Sequence, residues 1–508
     1  MTQATQTNLP KPRTNPLLLT DFYKVGHKFQ YPPGTTLVYS NLTPRRSRLA
    51  ANEMVFFGLQ YFIQEYVLDY FNDHFFRQPK AAVLDSYRRR VRTALGADLP
   101  NYDHIANLHD LGFLPIRVKA VPEGTLVPMR VPCMTLVNTR PEFYWLTNFF
   151  ETLLCSVIWQ PCTSATIAYE YRKLLTRWAR KTGMPEAFVQ WQAHDFSYRG
   201  MSSPESAILS GMAHLTSFTG TDTIPAIDAL ERHYGADADR DLVGGSVPAT
   251  EHSVMCAGSK DGELDTFARL IAETYPNGIV SIVSDTWDLW KVLTSFLPAL
   301  RAQVLARNGK VVIRPDSGDP VKIICGDPEG ATPAQRKGVI ELLWDVFGGT
   351  VTPTGHRLLD SHVGAIYGDS ITLERANQIA QRLADKGFAS QCVLGVGSFT
   401  YQYNTRDTFG LAMKATYVEV NGEPRPIFKD PITDDGTKKS ATGLLRVNSG
   451  VPPTVSELVT WEEEQEGLLQ VVFEDGKVSN TATLAAIRAR LNREVDACIN
   501  TSPPSSQN

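Results

Sequence analysis

The spacing of apolar positions changes along this chain and divides it into regions. Between Asn52 and Phe76, Val55, Phe56, Leu59, Phe62, Ile63, Tyr66, Val67 and Tyr70 recur at intervals of three and four, which predicts a helix. Segments 141–159 and 163–182 also read as helices, and Gly183, after Arg180 and Lys181, suits a helix end. Residues 116–138 instead alternate short apolar stretches with Pro and Gly and read as β. After about residue 405 such alternation returns in Met413–Val420, Leu444–Val447 and Leu468–Val472, and a helix over 481–498 closes the pattern.

From about residue 188 to 400 short apolar runs each end in small or charged residues and pass into a helical segment. Phe188–Ala193 leads into His194-Asp195-Phe196-Ser197-Tyr198-Arg199-Gly200, and Leu215–Phe218 into Gly220-Thr221-Asp222. Gly278–Val283 leads into Ser284-Asp285 and Asp288, and Val311–Ile313 into Arg314-Pro315-Asp316-Ser317-Gly318. Val363–Tyr367 leads into Gly368-Asp369-Ser370, and Cys392–Leu394 into Gly395-Val396-Gly397-Ser398. Repeated strand-then-helix units predict a parallel sheet. In an α/β barrel the active site lies at the carboxyl ends of the strands, where these polar clusters fall. A barrel is favoured over an open doubly wound sheet, which the pattern also allows. The expected fold class is α/β: an irregular parallel α/β barrel plus a β-rich α+β domain formed from both chain ends. The expected boundaries are an N-terminal α+β domain over 15–185, the barrel over 186–404, and a β-rich segment with the closing helix over 405–500. Residues 1–14 and 501–508, built of Pro, Ser, Thr, Gln and Asn, read as disordered tails.

Composition narrows the class. Across 508 residues, 43% are hydrophobic and 20% charged, which suits a globular chain with a sizeable core. A net charge of −4 offers no basic excess for nucleic acid or an anionic membrane. No run approaches the ~18 apolar residues of a membrane span, and the polar, proline-broken start resembles no signal peptide. The seven cysteines form no C-x-x-C pair, which points to packed thiols in a reducing, cytoplasmic setting and away from a zinc cluster.

The barrel clusters share a chemistry. Arg199 and Arg314 supply forked cationic donors suited to phosphate. Asp222, Asp285, Asp288, Asp316 and Asp369 supply acceptors for sugar hydroxyls or charge for magnesium. Gly368, Gly397 and Ser398 let backbone amides approach an anion. Together they describe a site for a phosphorylated sugar, although any one Arg–Asp pair is more often a structural ion pair. Ser202-Ser203-Pro204-Glu205 reads as a capping box, with the blander meaning of a helix start. His252 is a candidate phosphoryl acceptor, since neutral imidazole is a nucleophile, but an isolated histidine is more often structural. No Walker A, H-E-x-x-H or G-x-S-x-G motif is present, and Gly395-Val-Gly-Ser lacks the third glycine of a dinucleotide fingerprint.

From about Leu17 to Leu491 the chain resembles the nicotinate/nicotinamide phosphoribosyltransferase family, in its nicotinamide-using form. The anchors are Thr20-Asp-Phe-Tyr-Lys-Val-Gly-His, His194-Asp-Phe-Ser-Tyr-Arg-Gly, Gly220-Thr-Asp-Thr, Ser246-Val-Pro-Ala-Thr-Glu-His-Ser, Val283-Ser-Asp-Thr-Trp-Asp, Ile313-Arg-Pro-Asp-Ser-Gly, Gly368-Asp, Thr405-Arg-Asp and Phe428-Lys-Asp-Pro. The resemblance implies a type II phosphoribosyltransferase barrel, working as a homodimer with shared sites. It implies conversion of nicotinamide and 5-phosphoribosyl 1-diphosphate to nicotinamide mononucleotide and diphosphate, with Mg2+ and with ATP as co-substrate. It further implies that Phe196 and the partner subunit's Tyr23 stack on the pyridine ring and that Asp222 accepts from the carboxamide. Arg199 and Arg314 would contact diphosphate; Asp316 and Asp288 would hold the ribose or its magnesium, with Ser284 beside them. Gly368, Asp369, Gly397 and Ser398, with the partner subunit's Arg406, would cradle the 5′-phosphate. Arg45, Lys414, Lys429 and Lys438 would complete a cationic wall from the other subunit, and His252 would carry the phosphoryl group.

The chain departs from the family pattern at Ser398, which replaces a glycine of the phosphate cradle, and a spacing change around 435–439 leaves Lys438 and Lys439 as alternatives. The nearest rival is a nicotinate-using enzyme. An acidic Asp222 opposes it, because like charges side by side cost several kcal/mol. A non-catalytic binding protein on the same scaffold is the rival from another class, opposed by intact His252, Asp316 and both arginines.

Overall fold

Strand Ala412–Val420 pairs antiparallel with Thr35–Thr43, which joins two segments far apart in sequence. In this computed structural model the described residues are 14–368, 370–433 and 439–501. They fall into two units: residues up to Thr163 with Thr405–Thr483, and Ser164–Asn404 with the residues from Leu484 onward.

The first unit is built on a seven-stranded sheet. Its order is Glu423–Pro426, Ala412–Val420, Thr35–Thr43, Met134–Asn138, Ile116–Ala120, Gln470–Glu474, Lys477–Val478, antiparallel throughout. Tyr39, Val137, Tyr417, Leu444 and Leu445 pack together as one of its buried clusters. Lys119 and Glu464 are buried as an ion pair 3.0 Å apart, and Gln465 Nε2 also donates to Glu464. Buried charges persist only when paired and hydrogen-bonded in this way.

The pattern over Asn52–Phe76 is only partly helical. Glu53–Val55 is a strand paired with Leu126–Pro128, and the helix starts at Leu59 and runs to Phe76 with wide, π-type turns. Gly58 separates the two at φ 100°, and a Cβ there would lie 2.5 Å from Pro161 Cγ, so both backbone angle and space demand glycine. Val55 and Phe56 are buried, but as part of the strand and the turn after it. Segments 141–159 and 163–182 also differ from expectation. A 3₁₀ turn at Pro141–Phe143 and a short helix at Leu146–Phe149 precede one continuous helix, Glu151–Thr182, that runs through Pro161. An interior proline costs a helix about 3 kcal/mol. Burial of Ile158, Cys162 and Ala165 around it offsets that loss.

The second unit settles the choice between barrel and open sheet. Six parallel strands lie in the order Gly220–Thr221, Ala193–Asp195, Val393–Val396, Val363–Tyr367, Asn308–Arg314, Asn277–Val283. The two edges are joined by residues 245–250. Gly245 N donates to Thr219 O at 2.8 Å and its carbonyl accepts from Thr221 N at 3.0 Å. Three and five residues on, Ser281 N donates to Pro248 O at 2.9 Å and Thr250 N to Ser281 O at 3.0 Å. The ring therefore closes through an irregular seventh stave that meets one edge at Gly220–Thr221 and the other at Ser281. Three details differ from the sequence reading. Phe188–Gln192 is a helical turn, with the strand confined to Ala193–Asp195; Val189 and Gln192, three apart, are its buried positions. Leu215–Phe218 is the turn that follows helix Pro204–His214, and the strand is the shorter Gly220–Thr221. Short apolar runs do not distinguish a buried strand from a buried helical turn. Ser203, rather than Ser202, caps helix Pro204–His214 by accepting from Ser206 N at 3.1 Å, which shifts Glu205 out of the box position.

The helix Leu484–Thr501 belongs to this unit. Arg488 donates from its guanidinium to the carbonyls of Leu215, Leu242, Phe218 and Val243. It therefore ties the turn before strand Gly220–Thr221 to the start of the seventh stave. No helix among the described residues is long and apolar enough to cross a membrane.

Candidate active site

At the carboxyl end of the barrel a fully buried carboxylate organises the first two strand ends. Asp195 Oδ1 accepts from Ser197 N at 2.9 Å and Ser197 Oγ at 2.6 Å; Oδ2 accepts from Thr223 Oγ1 at 2.8 Å and Thr221 Oγ1 at 3.3 Å. Its carbonyl also accepts from Asp222 N at 3.0 Å, and Phe196 N donates to Val396 O at 3.0 Å. These bonds place Phe196 and Asp222 on neighbouring strand ends.

Phe196, Asp222, Arg199, Arg314, Asp316, Gly368, Gly397 and Ser398 line one cavity of about 700 Å³. On its aromatic side Phe196 lies 4.5 Å from the His194 ring at 40°. A Cβ on Gly395 would come within 2.5 Å of Phe196 Cδ2, so the ring occupies space that only glycine leaves. Asp222 Oδ1 accepts from His194 Nε2 at 2.8 Å and from Ser246 Oγ at 2.6 Å. Partial burial pushes the Asp222 carboxyl up. The hydrogen bond and charge of His194, then Ser246 and Arg314, outweigh it and hold the carboxyl below its ordinary 3.8.

On the polar side Arg314 ends strand Asn308–Arg314, and the loop after it is held by Asp285. Asp285 Oδ2 accepts from Asp316 N at 2.8 Å and from Ser317 Oγ at 2.6 Å. Gly368 faces Asp316: a Cβ there would sit 2.7 Å from Asp316 Oδ1. Arg199 lies exposed on the turn Tyr198–Gly200. Ser398 opens the short helix Ser398–Tyr401 and is not among the described residues with positive φ. Its hydroxyl fits because residue 200 is glycine; a Cβ at Gly200 would lie 2.0 Å from Ser398 Oγ. Cations and amides on one side and a flat ring beside a carboxylate on the other suit a ligand with a phosphorylated sugar and a planar amide-bearing head.

Other candidates lie elsewhere. Asp288 is exposed and caps helix Leu289–Lys291, accepting from Lys291 N at 3.1 Å. Ser284 is buried and donates its hydroxyl to Ile282 O at 2.7 Å. Neither lines the cavity. His252 opens helix His252–Ala257, exposed, with Nδ1 3.2 Å from Thr286 Oγ1; its neighbour Glu251 is on the cavity wall. Asp369 and Lys438 lie outside the described residues.

Tyr23, Arg45, Arg406, Lys414 and Lys429 belong to the first unit. Tyr23 is 60% exposed and lines, with Lys24, Glu151 and Lys414, a second cavity of about 390 Å³. Glu151 pairs with Lys24 at 2.5 Å and with Lys414 at 3.5 Å. Burial pulls the Lys414 ammonium below its ordinary value; Glu151 opposes that pull and the charge of Arg45 adds to it. Arg45 Nε donates to Gly410 O at 2.9 Å, and Arg406 pairs with Asp407 at 3.3 Å. Lys429 is exposed, and beside it Lys439 pairs with Asp430 at 3.4 Å.

The sequence reading gave no role to His194, Asp195, Ser246, Glu251 or Phe399. His194 and Phe196 are two apart at a strand end, a spacing that puts side chains on one face, so His194 was within reach of pattern reasoning. Ser246 reaches Asp222 from the seventh stave, and no local signal announces that approach.

The description "Nicotinate phosphoribosyltransferase (NAPRTase) family" matches residues 191–477, and "Nicotinamide phosphoribosyltransferase, N-terminal domain" matches residues 15–118. A protein of Acinetobacter baylyi named nicotinamide phosphoribosyltransferase is 53% identical over 501 residues, covering 96% of this chain and 98% of its own. Among solved structures, nicotinate-nucleotide pyrophosphorylase from Pyrococcus furiosus superposes with a TM-score of 0.57 at 15% identity, covering 99% of this chain and 100% of its own. Human nicotinic acid phosphoribosyltransferase gives 0.54 at 16% identity, covering 95% and 100%. At such identities these two speak for the fold alone.

The lowered Asp222 carboxyl sets a pH dependence. Its contribution to stability is present above the unfolded-state value and disappears as pH falls through the lower folded-state value. In carbon-13 spectra of labelled aspartate, Asp222 is expected to titrate below 3.8, and Ser246→Ala to raise that midpoint. A wild-type midpoint at or above 3.8 contradicts the role given to His194 and Ser246.

Proposed function

The chain belongs to the nicotinate phosphoribosyltransferase family, and we propose that it joins nicotinamide to 5-phosphoribosyl 1-diphosphate, releasing diphosphate and nicotinamide mononucleotide for NAD synthesis. The observation that carries this reading is the Asp222 carboxylate, held ionised beside the Phe196 ring. An ionised acceptor suits a carboxamide N–H and repels the carboxylate of nicotinate.

The chemistry follows from the cavity wall. As the bond from the anomeric carbon to diphosphate breaks, the sugar becomes oxocarbenium-like and the leaving group gains charge. Arg199 and Arg314 neutralise that charge where it develops. Phe196 holds the pyridine ring by its face and Asp222 holds its amide, so the ring nitrogen is presented to the anomeric carbon in line. Gly368, Gly397, Ser398 and Asp316 line the cavity; the first three would border the 5′-phosphate and Asp316 would face the ribose. Magnesium is commonly held by one or two carboxylates plus substrate phosphate, and the donors here fit: Asp316 is on the wall and Asp285 Oδ1 is buried with no partner among the described residues. Asp316 would hold the ion, with Asp288, which lies off the cavity wall, as a further candidate, and the ion would supply positive charge to the diphosphate.

ATP enters the reading through His252. With Nδ1 engaged by Thr286, Nε2 is the nitrogen left to attack the γ-phosphorus. The N–P bond forms as the bond to the β,γ-bridging oxygen breaks, and ADP leaves. We also assign the first-unit residues Tyr23, Arg45, Arg406, Lys414 and Lys429 to the active site of a second copy in a cytoplasmic homodimer. An exposed Tyr23 beside a cluster of cations supports this, since ring stacking and phosphate neutralisation call for those side chains.

Purified protein is expected to prefer nicotinamide over nicotinate by at least ~10²-fold in kcat/KM, the scale of a lost or repulsive buried polar contact. Equal turnover of the two removes the reading. Incubation with γ-labelled ATP should leave an acid-labile, alkali-stable phosphate on the chain, absent in His252→Ala; undiminished labelling of that variant discards the residue. For the shared site, Tyr23→Ala and Asp222→Ala chains should each be nearly inactive alone. Mixed, they form dimers in which one site carries both lesions and the other none, so activity returns towards half of wild type per dimer. An inactive mixture in which native mass spectrometry finds heterodimers would mean that each subunit completes its own site.

A further inference from the structure

We propose that His194 and Ser246 are specificity-determining positioning residues: by filling one oxygen of Asp222, they aim the other at a carboxamide and withdraw the two donors that a carboxylate ligand would need. The inference rests on the nicotinamide-using reading above and adds how the choice between amide and acid is made.

A free aspartate has two equivalent oxygens and broad rotational freedom about its last torsion. Neither equivalence nor freedom survives here. Oδ1 accepts from His194 Nε2 at 2.8 Å and from Ser246 Oγ at 2.6 Å, which uses both of its lone pairs. The donors come from different parts of the barrel, one from strand Ala193–Asp195 and one from the seventh stave, so the carboxylate is gripped from two directions. Among the described residues both partners of Asp222 are on Oδ1, and Oδ2 is the atom left to accept from a ligand.

His194 is itself confined. A Cβ at Gly220 would lie 2.7 Å from its Nδ1, so the ring lies against bare backbone. The Phe196 ring is 4.5 Å away, and the His194 side chain is 10% exposed. An ionised carboxylate only accepts, so Nε2 carries the proton of this hydrogen bond. The same imidazole thus sets the ring platform and the amide acceptor in register, which a ligand bearing both groups on one rigid ring requires.

The arrangement discriminates twice. An amide nitrogen donates to Oδ2 with no rearrangement. A carboxylate meets the Asp222 charge, and the Nε2–H and Ser246 hydroxyl that could have answered it are already committed to Oδ1. A ligand carboxylate that gives up its water to enter here is left without a partner, which costs more than a typical hydrogen bond contributes.

The test is steady-state kinetics of the full-length protein with nicotinamide and nicotinate in parallel, on wild type, Ser246→Ala, His194→Ala and His194→Gln. The glutamine retains an N–H donor close to the position of Nε2. Ser246→Ala and His194→Ala are expected to raise the KM for nicotinamide about 10-fold and to lower the nicotinamide-to-nicotinate ratio of kcat/KM by a similar factor, the scale of one hydrogen bond to a charged group. The KM for 5-phosphoribosyl 1-diphosphate, bound by other residues, should stay within about twofold. His194→Gln should return the ratio to within about threefold of wild type. A wild type that prefers nicotinamide, with the preference undiminished in Ser246→Ala and His194→Ala, overturns this inference and leaves the proposed function standing. A wild type without preference removes the proposed function and this inference with it. If His194→Ala does not fold, Ser246→Ala and the folded His194→Gln decide the matter on their own, because a ratio at the wild-type value in the first, or fallen as far as 10-fold in the second, contradicts the clamp.

Discussion

The second unit depends on one buried carboxylate. Asp195 has no exposure, so its charge must be met within the protein, and four hydrogen-bond donors meet it. Two belong to Ser197 and bend the chain immediately after strand Ala193–Asp195. Two are the hydroxyls of Thr221 and Thr223, which fasten the neighbouring strand end. Desolvating an ion costs several kcal/mol, so a geometry that satisfied fewer of these bonds would be strongly disfavoured. The positions of Phe196 and Asp222 follow from that requirement, since each is bonded through its own amide to the same set of strand ends. The bonds that fix these strand ends therefore lie beneath the surface that a ligand touches.

Charge on the other side of the cavity is arranged differently. Arg199 and Asp316 face the cavity, and the backbone that carries Asp316 is fixed by the Asp285 carboxylate rather than by burial. Asp285 spends one oxygen on that loop and keeps the other buried without a partner among the described residues. Cations that must accept a multiply charged ligand gain from being accessible before it arrives, because steering by charge acts through solvent. A flat, weakly polar ring has no such pull, and it needs a preformed slot. The two halves of the cavity are held differently, one by the fully buried Asp195 and the other by the partly exposed Asp285.

Much of this was legible in the sequence. The barrel strands Asn277–Val283 and Val363–Tyr367 match the sequence reading to within a residue, and Asn308–Arg314 and Val393–Val396 to within three, because Val, Ile and Leu runs end there in Ser-Asp, Arg-Pro-Asp and Gly-rich turns. The barrel's first two strands were misplaced for a physical reason. Ala193–Asp195 and Gly220–Thr221 are so short that the apolar runs before them belong to helical turns, and strand and helix burial look alike over five residues. The two helices expected over 141–159 and 163–182 are joined, because burial of Ile158, Cys162 and Ala165 accompanies one helix that runs through Pro161. Asp222, Arg199, Arg314 and Asp316 stood out because polar residues at strand ends are informative. Their supporting contacts did not: Ser246 carried no signal, and Asp285, read as a ligand-facing acceptor, instead holds the Asp316 loop; the two act across chain distances of 24 and 31 residues, and no local pattern records such a meeting.

Glycine shows how one residue type can carry two kinds of information. Read from sequence, Gly368 and Gly397 are places where an anion can approach the backbone. In the structure Gly397 does face open space, with nothing within 4 Å of where a Cβ would be. Gly368 has a nearer obligation, to leave room for Asp316, and Gly395 and Gly220 make the same concession to Phe196 and His194. Ser398 extends the logic. A side chain can stand where the family resemblance calls for glycine because its neighbour across the cavity, Gly200, has none. The space in this site is thus distributed between facing pairs, and a substitution at one member is read correctly only with the other in view. A hydroxyl at 398 is tolerated by Gly200, whereas any side chain at 395 would have to displace the ring on which the site's recognition of a planar ligand depends.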